Sequence, residues 1–200
     1  IPQPRHSGEY PADRMTDIAF TFPFYGQTAR TLWVMNSGVV GVDAPVRYPN
    51  MEYHYASTPA IFPLFVALGP SPDGGVFARN DGERLTITWY RMALIHNPQA
   101  QVTFQLVLYQ NGVFEIITNG LPDLPYRADA GPFANAWAMG ALPGTPDSAP
   151  QQVDFTAAPL RAGRQGLVQD HYSAFRRYLH QLLLPLAALI VGSSLLVIAG

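Results

Sequence analysis

The sequence has no cysteine and no lysine, and only 13% of its 200 residues are charged, against roughly a quarter in an ordinary soluble domain. Without cysteine there can be no disulfide, no thiolate catalysis and no cysteine-ligated zinc or iron–sulfur centre. All twelve cations are arginine, and fourteen acids bring the net charge to −2, so no basic surface argues for nucleic acid as a partner. Phosphate-cradling glycine loops and the G-x-S-x-G nucleophile elbow are missing too. The five histidines, His6, His54, His96, His171 and His180, never stand at the two- or four-residue spacing of a metal pair. No metal or other cofactor is expected. Asp73 and Asp81 lie beside glycines, where turn chemistry accounts for them better than a calcium loop. The fourteen acids are scattered, with no pair suggesting glycoside cleavage.

What the chain does have is turn formers: 17 glycines and 19 prolines between short apolar runs. The clearest unit is residues 101–120, QVTFQLVLYQNGVFEIITNG, two strands about Asn111-Gly112. A two-residue turn would place Leu108 opposite Glu115 and put a carboxylate on the face of Phe104, Leu106 and Leu108. A three-residue loop, Gln110-Asn111-Gly112 with Gly112 left-handed, instead sets Leu108 opposite Phe114 and Leu106 opposite Ile116. Glu115 then faces outward beside Val107. A one-residue slip turns every side chain over, so the second register is expected. The ribbon has one fully apolar face, which a second sheet must cover.

Residues 1–16 read as an extended polar arm. Residues 18–24 alternate with Phe20, Phe22 and Phe24 on one face and Pro23 on the other, as an edge strand allows. Hairpins are expected about Asn36-Ser37-Gly38 and Asn80-Asp81-Gly82, the second placing Leu85, Ile87 and Trp89 on one face. Residues 61–68, IFPLFVAL, read as an apolar strand interrupted by Pro63. His96-Asn97-Pro98 reads as loop, residues 134–142 and 153–155 as the closing strands, and residues 158–170 as a linker. No helical period precedes residue 165. The expected fold is all-β: a two-layer antiparallel β-sandwich of jelly-roll type over residues 17–157.

A different kind of segment follows. Residues 182–200, LLLPLAALIVGSSLLVIAG, contain no charge, and Ser193 and Ser194 are their only polar side chains. As a helix they span roughly 28 Å, close to the ~30 Å hydrocarbon layer of a bilayer. A single transmembrane helix is expected over the last part of residues 171–200. Gly192, Ser193 and Ser194 would let a helix of another subunit approach closely. Arg176 and Arg177, just ahead of the run, would lie at the lipid headgroups.

Five motifs stand in order: Phe22-Pro23-Phe24-Tyr25-Gly26, residues 32–38 ending Asn-Ser-Gly, residues 59–65, residues 86–90 and residues 103–112. Together they resemble the nidogen-like (NIDO) β-sandwich and its relatives in bacterial secreted and surface proteins. The resemblance runs over roughly residues 16–156. The acidic stretch that follows the family's "PFW" strand is replaced here by Pro63-Leu64-Phe65-Val66-Ala67-Leu68, so no acid-dependent contact transfers. The resemblance implies an extracytoplasmic adhesion or scaffold module, without an established catalytic role.

The expected function is therefore a non-enzymatic, single-pass membrane protein. Its extracytoplasmic β-sandwich would be an accessory or docking subunit of a larger membrane complex, in contact with lipid and with other subunits' helices. The positive-inside rule applied to Arg176 and Arg177 alone would give a cytoplasmic tail anchor. The first residue, Ile1, and the likeness to exported modules favour the extracytoplasmic side. A second reading is a cell-surface adhesin or glycan-binding module whose ligand meets the aromatic loop at Tyr48, Tyr53, His54 and Tyr55. A third is a hydrolase with a site built from loops.

Overall fold

The computed structural model describes residues 14–46, 58–95, 97–120, 137–145, 150–156 and 165–170. These residues form twelve strands and no helix: β1 (Arg14–Phe24), β2 (Gln27–Val34), β3 (Val40–Val42), β4 (Ala60–Phe65), β5 (Leu68–Gly69), β6 (Gly75–Asn80), β7 (Arg84–Leu94), β8 (Asn97–Tyr109), β9 (Phe114–Thr118), β10 (Ala138–Leu142), β11 (Gln151–Gln152) and β12 (Leu167–Asp170). One sheet has seven strands in the order β1-β2-β3-β4-β10-β12-β11. The other has five: β7, β8 and β9 lie side by side, with β5 and β6 sharing the far edge of β7. The two sheets face each other across one apolar core, consistent with a β-sandwich. The first contributes Phe20, Phe22, Leu32 and Leu64, the second Leu85, Ile87, Trp89, Phe104 and Leu106.

The hairpin of β8 and β9 has the register its side chains require. Leu108 pairs with Phe114, Leu106 with Ile116, and Val107 with the outward Glu115. The loop closes through Gly112 N–H to Tyr109 O and Tyr109 N–H to Val113 O, with Gly112 at φ 84°. The turn between β2 and β3 repeats the design, with Gly38 N–H to Met35 O and Met35 N–H to Val39 O. β1 is an edge strand as expected, with Phe20, Phe22 and Phe24 buried and Pro23 exposed.

Other expectations need correction. The run at 61–68 is not one strand: β4 belongs to the first sheet, and β5, two residues later, to the second. Residues 167–170, expected within the linker, form β12, because β10 presents an open edge. Gly166 fits against Ala141 and Leu142 there, and Val168 becomes fully buried. Residues 153–155 are not a strand; the ladder there is β11, and it runs parallel to β12, so the sheet is not wholly antiparallel. β1 starts at Arg14, inside the expected arm, and β8 starts at Asn97, inside the expected loop. A second buried cluster, Val39, Val46, Ala60, Phe62, Phe65, Ala138, Leu142 and Val168, sits apart from the main core, so both faces of β4 are apolar and covered. Among the described residues no helix is long and apolar enough to cross a membrane; residues 171–200 lie outside them.

The turn from β1 to β2 shows what Tyr25 does. Phe24 pairs with Gln27, leaving Tyr25 and Gly26 as a two-residue loop with φ of 46° and 79°, the positive pair a type I′ turn needs. Tyr25 accepts this conformation while its ring packs edge-on against Phe24 at 4.8 Å and its hydroxyl donates to Ala141 O at 2.9 Å. It thus pins the hairpin to β10. Burial pushes the phenol up from 10.0 to about 12, opposed by a weaker pull from the Leu167 backbone. The raised value means the fold holds the neutral phenol. That stabilisation is whole below pH 10 and fades as pH climbs from 10 toward 12. Ultraviolet difference titration is expected to show a tyrosine ionising near pH 12, and Tyr25→Phe to abolish that late step. The same substitution is expected to cost about 1 kcal/mol through the lost hydrogen bond.

Candidate functional site

The alternation along β7 slips by one residue. Leu85, Ile87 and Trp89 face the core, and so do Met92 and Leu94. The pairing shows why: Trp89 opposes Phe104 and Met92 opposes Val102, so Tyr90 and Arg91 together face Thr103. This is a β-bulge, a device that redirects side chains and is common beside functional sites. Arg91 sits at φ 49°, a conformation that costs a non-glycine residue about 1–2 kcal/mol. A local network holds it there. Arg91 N–H donates to Thr103 Oγ1 at 3.0 Å, and Arg91 Nε donates to Gln101 Oε1 at 3.0 Å. Gln101 Nε2 donates in turn to Ser71 Oγ at 3.2 Å, and Asp73 lies 3.8 Å from the guanidinium. The loop between β5 and β6 clamps the bulge, with Gly74 lodged against the carbonyls of Tyr90 and Arg91 where no side chain would fit.

Next to the bulge lies the outer face of the second sheet. Register places Phe77 opposite Thr88, Thr88 opposite Gln105 and Gln105 opposite Ile117, one row across four strands. Tyr90 follows Thr88 on the same face. Phe77, Tyr90 and Ile117 are 37%, 44% and 47% exposed, large apolar surfaces left in water. Between them Gln105 Nε2 donates to Thr88 Oγ1 at 2.9 Å, fixing the polar centre of the row. At the hairpin tip Arg79 and Arg84 both reach Asp81, at 2.7 and 3.2 Å, and hold its carboxyl below the usual range, Arg79 more strongly.

Chemically this arrangement offers aromatic and aliphatic contact area, an arginine with spare donors, and paired amide and hydroxyl groups. Ser71 is buried, but its partner is the Gln101 amide, which takes no proton, so the serine is not activated. Among the described residues no three histidine, aspartate or glutamate side chains gather as a metal site would require. The arrangement is suited to binding.

Tyr48, Tyr53, His54 and Tyr55, the expected ligand contacts, lie outside the described residues. So do Gly192, Ser193 and Ser194 of the expected helix contact, and Arg176 and Arg177 of the expected membrane interface. The bulge network and the exposed row were not singled out from sequence. One signal for the bulge was present: the apolar phase moves from odd numbers at Trp89 to even numbers at Met92. The contacts of Ser71 and Gln101 with it join segments thirty residues apart and leave no local trace.

No characterised protein and no solved structure matches the chain. The sequence pattern of the family described as "NIDO related" matches residues 6–136, which take in β1 through β9. Two of the resembling motifs now have structural roles: Phe22 to Gly26 forms the end of β1 and its type I′ turn, and residues 103–112 form β8 and its glycine-closed loop. With the match extending over more than half of its length, the chain belongs to the NIDO-related family.

Proposed function

We propose that this chain is a non-enzymatic, single-pass membrane protein whose β domain stands outside the cytoplasm and docks onto another subunit of a membrane assembly. The observation that carries the reading is the exposed row on the second sheet. Aromatic side chains at the centre of an interface, surrounded by satisfied polar groups, supply most of its binding free energy, and Phe77 and Tyr90 beside Thr88 and Gln105 have that composition. The uncharged run at 182–200 supports one bilayer crossing, and Gly192, Ser193 and Ser194 support close packing of that helix on a neighbour. Arg176 and Arg177 suit the headgroup layer beside it.

The test is copurification of the full chain from native membranes in mild detergent. A defined partner is expected with the natural sequence, and the double variant Phe77→Ser, Tyr90→Ser is expected to weaken its retention at least about 30-fold. Full retention by the folded variant would reject this surface as the docking face. Protease digestion of sealed vesicles reads sidedness: a β domain degraded only after the cytoplasmic face is opened would place it inside and reject the extracytoplasmic reading.

A further inference from the structure

The edges of the two sheets are not alike. β1 is interrupted in its pairing between Asp17 and Phe22 and carries Pro23; β5 and β11 are two residues each; β6 holds Gly75, Arg79 and Asn80 and runs close to β1. These are the features by which edge strands avoid pairing with other chains. β9, Phe-Glu-Ile-Ile-Thr, has no proline, glycine, cation, bulge or inward charge; its one charge, Glu115, points outward. Among the described residues it pairs on one side only, with β8.

The direction of its backbone groups follows from the ladder. Tyr109 N–H donates to Val113 O at 2.9 Å and Asn119 N–H donates to Thr103 O at 3.1 Å. In an antiparallel pair, hydrogen-bonded positions recur every second residue, so Val113, Glu115, Ile117 and Asn119 spend their backbone groups on β8. Phe114, Ile116 and Thr118 aim theirs away from the sheet. Phe114 and Ile116 pack against the main core yet remain half-buried, while Glu115 and Ile117 are exposed.

We propose that two copies of this chain join edge to edge through β9, antiparallel, with Ile116 of one copy opposite Ile116 of the other. In that register each outward N–H of one strand meets a C=O of its mate. Ile116 meets Ile116 and Phe114 meets Thr118 on the core side, so the seam extends both apolar cores and covers the half-exposed Phe114 and Ile116. Charge selects the register. Glu115 lands opposite Ile117, whereas an axis through Glu115 would set two carboxylates face to face, a destabilising pair. An axis through Ile117 would set Phe114 against Gly120 and lose that contact. The result is one ten-stranded layer, and the inference stands apart from docking through Phe77 and Tyr90.

The chain's lack of cysteine makes the test clean. In a hydrogen-bonded antiparallel pair the two Cα atoms lie about 5.5 Å apart, within reach of a disulfide. The full chain carrying Ile116→Cys, in detergent or in membranes, is expected to form a disulfide-linked dimer under mild oxidation. Thr28→Cys, exposed on β2, is expected to stay monomeric. Adding Ile117→Glu, which faces Glu115 of the other copy, is expected to cut the dimer yield roughly tenfold, and Ile117→Arg to preserve it. If Ile116→Cys does not fold, the double variant Glu115→Cys, Ile117→Cys at two exposed positions reads the same register. Monomer throughout, a disulfide to a different protein, or equal behaviour of the glutamate and arginine variants would overturn the proposal.

Discussion

Trp89→Ala is expected to destabilise the β domain by about 4 kcal/mol, lowering its Tm by roughly 8–16 °C. Trp89 is fully buried, and its indole lies nearly parallel to the Phe104 ring, with centroids 4.9 Å apart and planes 12° apart. Alanine would leave a cavity in the middle of the core and strip Phe104 of its stacking partner, which together account for about 3–5 kcal/mol. There is a further loss across the two sheets. Trp89 Nε1 donates to Met35 O at 2.9 Å, tying the central strand of the second sheet to the β2–β3 loop of the first. Without the indole that carbonyl keeps only the Gly38 N–H, at 3.2 Å. Trp89→Phe keeps a ring against Phe104 but not the donor, and is expected to cost about 1–2 kcal/mol. Thermal unfolding of the full chain in detergent, followed by near-ultraviolet circular dichroism, measures both. Equal Tm values for the alanine and phenylalanine variants would mean that the indole fills no essential space.

The second large effect is expected at Gly38. Its φ is 77°, and a Cβ there would run into the carbonyl oxygen of Leu64 and the ring of Phe104. Backbone meets backbone at this point, so no rotamer change relieves the overlap. The β2–β3 loop, the end of β4 or β8 would have to move. Gly38→Ala is expected to leave the domain largely unfolded, a loss of roughly 4 kcal/mol or more from conformational strain plus displaced core. Gly82 is the matched control. It too has a positive φ, 89°, but nothing lies within 4 Å of where its Cβ would be. Gly82→Ala is therefore expected to cost only about 1–2 kcal/mol. The same unfolding measurement compares the two, and similar losses would show that the close approach at Leu64 is immaterial.

The parts of this fold that were legible in sequence are those in which two local signals constrain each other. In the β8–β9 hairpin, Asn111-Gly112 offered more than one turn, and only one kept Glu115 out of the core. Alternation of phenylalanines and the position of Pro23 agreed in the same way for β1. The sheet change between β4 and β5 left no such mark, because every residue of both strands is buried and an unbroken apolar run has no face to count. β12 was missed for another reason. Leu167 and Val168 amount to a strand only because β10 lies alongside, and nothing near them in sequence announces it. Of the candidate site, the bulge could have been read from the phase slip at Trp89 and Met92. The exposed row could not, since exposure of Phe77 and Ile117 depends on which strands happen to stand side by side.

β12 is the last described strand before residues 171–200, and it lies inside its sheet, between β10 and β11. Tension transmitted from that side of the chain would fall on an interior strand. Peeling it away would have to break an antiparallel ladder to β10 and a parallel ladder to β11 together, while drawing the fully buried Val168 into water. A domain whose closing strand sat at the rim could be unravelled one bond at a time. Here β12 is held on both sides, so a pull at residue 170 loads two ladders at once.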